Sequence, residues 1–164
     1  MKRVFLATAL VAALTGGATA EVVRFPESGY PAFVITTPDG WTHQPDGDGN
    51  MLLLASDHSA SYALSIVPYA GALDDLAVDA MKVAQANPPQ QMGPTSLSGF
   101  HGNMYDSDVT NASHIHVNVH LVAIKVDAGT VASITRITID NISADDYAAA
   151  QSILANTTIE TGGK

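Results

Sequence analysis

A long hairpin constrains the fold of this chain more than any other sequence feature. Residues 113–126 alternate between two sets of side chains, with three histidines and an asparagine on one side and aliphatic residues on the other. A period of two is typical of a strand with one buried face. The turn-forming stretch Asp127-Ala128-Gly129 follows, and residues 130–140 return as a β-branched partner strand. The sequence therefore predicts an antiparallel sheet that contains this hairpin.

Shorter segments around the hairpin predict further strands and two helices. Strands are predicted at residues 33–37, 51–57 and 61–69, and one or two more over residues 94–109. Apolar side chains recur at helical spacing in residues 71–86. A second helix is predicted over residues 143–159, where Ser143 and Asp146 have the spacing of a capping box. Strands, helix, strands and helix in that order predict an α+β fold.

Residues 1–20 have the pattern of a secretory signal peptide. Lys2 and Arg3 precede an apolar run, and small residues end the segment at Ala20, so we expect cleavage between Ala20 and Glu21. The apolar run is shorter than the roughly 20 residues that span a bilayer. The chain has no cysteine, so residues 21–164 must be held together by packing alone, as one α+β domain. We predict a periplasmic or secreted protein.

The charge balance limits the partners. The chain has seven basic and sixteen acidic residues, a formal net charge of −9, and removal of the signal segment leaves five basic residues. A protein without a basic patch is poorly suited to nucleic acid or to an anionic membrane surface. We therefore expect no nucleic-acid partner and no membrane insertion after cleavage, and favour a protein or cation partner. Neither the identity of that partner nor the oligomeric state follows from the sequence.

The order of these elements resembles a known family. An early strand that ends in Pro-x-Gly-Trp at Pro38 and Trp41, two further strands, a mid-chain helix, a long hairpin and a C-terminal helix together look like the PsbP-like αβα sandwich. The resemblance covers nearly all of residues 21–164. It implies a central antiparallel sheet covered by helices, and an accessory or binding role. No functional residue of the family maps onto this chain.

The histidines of the hairpin raise the question of a metal site. At a rise of about 3.3 Å per residue, His114 and His116 lie about 7 Å apart, whereas His114 and His120 lie about 20 Å apart. Imidazole nitrogens bind zinc at about 2 Å, so His114 and His116 can share one ion and His120 cannot join both. The apolar continuation at Val122 indicates that this face becomes buried, with His120 at the boundary.

A third ligand for Zn²⁺ or Cu²⁺ would come from the neighbouring strand. In one register, Asp106 or Asp108 lies beside the histidine pair, and Asp106 is the ligand we name with His114 and His116. In the other register, His101 lies beside His120 instead. A slip of one residue changes the answer, and the turn does not determine the register.

Two other stretches resemble sites only in part. The acidic loop that begins at Asp46 has calcium-loop spacing, but Met51 replaces the required glycine and the closing glutamate is missing. Asp57-His58-Ser59 contains the residue types of a hydrolase triad, yet strand neighbours point to opposite faces.

The leading interpretation of the sequence is an exported, non-catalytic binding or accessory protein. One alternative is a periplasmic protein that binds zinc or copper through the His114 and His116 pair. A second alternative is a hydrolase whose triad is assembled from separate segments, since triads are recognised by geometry rather than by sequence position.

Overall fold

The computed structural model describes residues 20–110 and 114–162. The predicted signal peptide up to residue 19 and the first residue of the histidine run lie outside this range. In chain order the elements are β1 (Glu21–Phe25), β2 (Ala32–Thr37), β3 (Thr42–Pro45), β4 (Asn50–Leu54), β5 (Ala60–Pro68), α1 (Leu73–Val83), β6 (Gln90–Leu97), β7 (Phe100–Thr110), β8 (His116–Lys125), β9 (Thr130–Ile139), α2 (Ala144–Ala155) and β10 (Thr158–Glu160).

The strands form two antiparallel sheets. The larger has seven strands in the order β3-β4-β5-β9-β8-β7-β6, and the smaller has three in the order β1-β2-β10. The predicted hairpin, β8 and β9, lies near the centre of the larger sheet. Within the described residues, no helix is both long enough and apolar enough to cross a membrane.

Each face of the larger sheet has its own apolar core. On one face, α1 packs its buried residues against the odd-numbered side chains of β8, such as Leu121. On the opposite face, Ala150 and Ile153 of α2 pack with the even-numbered Val122 and Ile124, and the smaller sheet contributes to the same core. Because the side chains of β8 alternate between the two faces of the sheet, β8 contributes to both cores, one under each helix.

The prediction of an α+β fold with antiparallel strands is confirmed. The second helix begins as expected, because the Ser143 hydroxyl accepts a hydrogen bond from the backbone N–H of Asp146 at 3.1 Å. It ends earlier than predicted, at Ala155, because residues 158–160 leave the helix and pair with β2. Two further strands were not predicted: β1, and the polar β3, which pairs with β4.

Candidate functional site

The pairing of β7 with β8 selects one of the two registers that the sequence left open. Asp106 lies opposite His120, Asp108 opposite Asn118, and Thr110 opposite His116, so even-numbered residues face each other. The register with His101 beside His120 is wrong, because Asp106 occupies that place and His101 lies five residues earlier on β7, where it pairs with Ser96 of β6.

The structure places the three ligands named from the sequence differently from their expected arrangement. Strand β8 begins at His116, and His114 precedes it with a φ of 60°, in the left-handed region that histidine tolerates better than most residues. His114 therefore does not share the strand alternation that placed it beside His116. Asp106 contacts His120 rather than His116. The three ligands named from the sequence do not converge on one point.

His116 instead lies between two carboxylates. Its Nδ1 is 3.0 Å from an oxygen of Asp140, which follows β9, and its Nε2 is 3.0 Å from an oxygen of Asp108 on β7. Asn118 donates to the same Asp140 oxygen at 2.8 Å, and Asn87 donates to Asp108 at 3.2 Å. We call the Asp108, His116 and Asp140 group the histidine clasp. It ties β7, β8 and the end of β9 together.

The clasp favours charged forms of all three groups. Hydrogen bonds to Asp140 and then to Asp108 raise the pKa of His116 above its ordinary value of 6.5. The pKa of Asp108 is lowered from 3.8, first by Asn87 and then by His116, and the pKa of Asp140 is lowered by His116 and then by Asn118. The stabilisation from His116 is complete below pH 6.5 and is lost as pH rises through its folded pKa. The stabilisation from the carboxylates is present above pH 3.8 and is lost at lower pH.

The clasp also bears on metal binding. Both ring nitrogens of His116 are within hydrogen-bonding distance of carboxylates, so a metal ion would have to displace one of them. Across residues 20–110 and 114–162, no three His, Asp or Glu side chains are arranged to hold a metal ion. His114 and His116 do line one cavity of about 270 Å³ together with Asp140. Binding of zinc or copper by the two histidines stays a prediction.

A second group on the same face of the sheet encloses a cavity. Where the even-numbered face of β7, β8 and β9 changes from apolar to polar, α2 crosses it and leaves a cleft of about 350 Å³. We call this the polar cleft. It is lined by Asp106, Ser107, Asn118, Val119, His120, Arg136, Thr138 and Tyr147. Its volume lies within the range that small-molecule sites occupy.

Asp106 and His120 form an acid–base pair in the polar cleft. The carboxylate of Asp106 contacts Nδ1 of His120, whose side chain is only 18% exposed. Nε2 of His120 has no hydrogen-bond partner in the part of the chain that the structure describes. An aspartate that accepts from Nδ1 leaves Nε2 to accept a proton or hydrogen bond from a bound molecule. The pair can therefore bind a hydroxyl group or act as a base.

Arg136 supplies the positive charge of the polar cleft. Its Nη1 donates to Gln151 of α2 at 2.8 Å, and its guanidinium lies 5.8 Å from the ring centroid of Tyr147. Its Nε is buried without a hydrogen-bond partner among the described residues. Arg136 also lies opposite Tyr62 in the sheet. Burial raises the pKa of Tyr62 to about 12 in spite of this positive charge, so the phenol stays neutral and donates to the Ala150 carbonyl at 2.6 Å.

Arg136, Thr138 and Tyr147 were missed by sequence reasoning. The predicted turn could have identified Arg136 and Thr138. Counting back from Asp127-Ala128-Gly129 along both strands of the hairpin places Arg136 opposite His120 and Thr138 opposite Asn118. Tyr147 was predicted only to lie within the second helix. Its position near β8 depends on how α2 packs on the sheet, and a local sequence pattern does not predict that packing.

The two partial motifs form turns rather than sites. Asp46 accepts hydrogen bonds from the backbone N–H groups of Asp48 and Asn50 at 2.8 and 3.0 Å, so its side chain closes its own loop. Asp57 accepts from the backbone N–H of Ser59 at 2.9 Å in the turn between β4 and β5.

The fold and the cleft define an α+β protein with antiparallel sheets and a small polar cavity under its C-terminal helix. No family model and no curated protein sequence matches the chain. A crystal structure from Bacteroides thetaiotaomicron is similar, with 15% identity and a TM-score of 0.51. The match covers 80% of this chain and 46% of that protein, so this chain spans less than half of its length.

The structure of LpqN from Mycobacterium tuberculosis is similar over nearly the whole of both chains. LpqN is described as involved in cell envelope biogenesis. It shares 14% identity and a TM-score of 0.57 with this chain, and the match covers 88% of this chain and 91% of LpqN. At such identities the likeness concerns the fold alone.

Proposed function

We propose that this protein is an exported, non-catalytic binding or accessory protein that holds one small polar molecule in the polar cleft. The observation that carries the proposal is the cleft itself, about 350 Å³ in volume and lined by polar groups from three strands and a helix. Side chains held by sheet strands and packed helices are positioned more firmly than side chains on loops. Thr138 is 5% exposed and Tyr147 is 41% exposed, so the cleft runs from a buried floor to an open mouth.

Two observations support the wider assignment. A helix on each face of a central antiparallel sheet is the layer arrangement expected of a PsbP-like αβα sandwich. The predicted signal peptide and the fold shared with an envelope-biogenesis protein are consistent with a role outside the cytoplasm, in the periplasm or in the medium.

The test is a binding screen with a variant that fills the cleft. Purified residues 21–164 are screened by thermal shift against amino acids, hydroxy acids, sugars and polyols. Asn118→Trp places a bulky side chain at an exposed position in the cleft lining, and His101→Trp is the control at an exposed position on β7 outside it. We expect at least one compound to stabilise the wild type and the control but not Asn118→Trp. If no compound shows this pattern, the cleft is not the binding site.

Hydrolysis is a second candidate, favoured by the Asp106 and His120 pair. A triad would add a hydroxyl nucleophile, and Thr138 lines the same cleft. The Ser107 hydroxyl points to the opposite face of the sheet, where it donates to the Asn87 carbonyl at 2.5 Å. The Thr138 hydroxyl is not hydrogen-bonded to His120 in the described residues, so substrate binding would have to bring the two together. Ester turnover that disappears in both His120→Gln and Thr138→Val would favour hydrolysis over simple binding.

A further inference from the structure

We propose that the molecule bound in the polar cleft is a small organic carboxylate with a nearby hydroxyl group, its carboxylate on Arg136 and its hydroxyl at His120. This inference rests on the proposed function and specifies the chemical class of the ligand. It comes from the charges and unused hydrogen-bonding groups that the cleft presents.

Arg136 has no counter-ion among the residues that the structure describes. The structure describes two arginines. Arg24 uses all three of its nitrogens, with an ion pair to Glu160 at 3.2 Å and hydrogen bonds to two backbone carbonyls. Arg136 donates to the neutral Gln151 and lies close to the phenol of Tyr62, which is also neutral, and no carboxylate lies within 4.0 Å of its guanidinium in the described residues. In a chain with sixteen acidic and seven basic residues, an unpaired guanidinium at a cavity is suited to an external anion.

The acidic residue of the polar cleft, Asp106, already has a partner within the protein. Asp106 contacts His120 and so does not neutralise Arg136. Its negative charge also disfavours a second carboxylate on the same ligand, since like charges at close range repel. A monocarboxylate therefore fits the charge distribution better than a dicarboxylate.

His120 and Arg136 are close enough for one small ligand to contact both. His120 and Arg136 are direct partners across the β8 and β9 pairing. Directly opposed residues have Cβ atoms about 5 Å apart, so a molecule of a few heavy atoms can reach both side chains. The Nε–H of Arg136 is shielded by the protein, so the ligand meets the terminal nitrogens of the guanidinium. A hydroxyl group suits Nε2 of His120 because it can donate to the neutral ring or accept from the charged one.

The polar cleft already restrains the guanidinium of Arg136. Gln151 holds Nη1 from α2, and the Tyr147 ring lies beside the guanidinium plane. An arginine already restrained by the protein loses less side-chain freedom when the anion binds.

The test compares matched charged and neutral probes by titration calorimetry. Lactate and glycerate are measured against lactamide and glycerol, with inorganic phosphate as a separate anion. We expect the wild type to bind lactate or glycerate at least about tenfold more tightly than the neutral probe, as a charge-assisted contact implies. Arg136→Gln should abolish this preference, and Arg136→Lys should retain part of it. Urea unfolding of each variant establishes that it is folded.

The outcomes separate this inference from the proposed function. Neutral probes that bind as tightly as the carboxylates, and are lost in Asn118→Trp, would overturn the carboxylate assignment and leave the cleft as the binding site. Phosphate binding that depends on Arg136 and exceeds that of the carboxylates would overturn it as well. Absence of carboxylate binding, or a preference that survives in Arg136→Gln, would also reject it.

Discussion

Replacing Ile153 by alanine tests whether α2 is anchored as the structure shows, and α2 forms one wall of the polar cleft. Ile153 is fully buried, and it lies in the core shared by α2, the larger sheet and the smaller sheet. The change removes three carbon atoms, each worth about 0.8 kcal/mol of transfer free energy. That gives about 2.4 kcal/mol, and a residual cavity adds to it, since such substitutions cost roughly 2–5 kcal/mol. We expect a loss of about 3 kcal/mol.

The assay is urea unfolding followed by tryptophan fluorescence. Trp41 is the only tryptophan, and it packs against the same core with its ring centroid 6.1 Å from that of Tyr62. The control is Val83→Ala at a position 86% exposed on α1, where we expect a change within about 0.5 kcal/mol. A loss below about 1 kcal/mol for Ile153→Ala, or equal losses in both variants, would refute the packing of α2 described above.

Three further changes test other parts of the structure. His116→Gln should lower thermal stability most between pH 4 and 6.5, and the difference from wild type should shrink as pH rises above that window; a pH-independent difference would contradict the clasp. Gly102→Ala should cost about 3 kcal/mol in urea unfolding, because the new Cβ would lie 1.9 Å from the Ala123 carbonyl oxygen. Gly129→Ala, with no atom closer than 3.9 Å, is its control. Ser143→Ala should cost about 1 kcal/mol through loss of the helix cap, and an unchanged urea midpoint would argue against that cap.

The parts of the fold that the sequence predicted correctly depend on local patterns. The β8 and β9 hairpin follows from a period of two and a turn of Asp, Ala and Gly, and α2 begins where Ser143 can cap it. The missed strands are too short or too polar to show a pattern of their own. Strand β3 is polar and short, and it is a strand because it pairs with the neighbouring β4. Strand β10 continues directly from a helix and exists because β2 offers an edge to it.

The sequence predicted the candidate site only where it depends on a local pattern. The change of the β8 face from polar to buried is confirmed, since Val122 is 4% exposed and Ile124 is fully buried. The sequence grouped Asp106 with His116, but strand register depends on pairing along the whole of β7, and a shift of four residues along β8 places Asp106 opposite His120. Arg136 joins the site from β9, the other neighbour of β8, whereas the predicted third metal ligand came from β7.

The central claim is that the polar cleft holds a small carboxylate, and NMR chemical-shift mapping tests it most directly. Isotope-labelled residues 21–164 are titrated with glycerate, and backbone and side-chain resonances of the wild type and Arg136→Gln are followed. We expect the largest shifts at His120, Arg136 and Tyr147, saturable in the wild type and at least about tenfold weaker in the variant. Shifts that concentrate elsewhere, or that are the same in both proteins, would contradict the account.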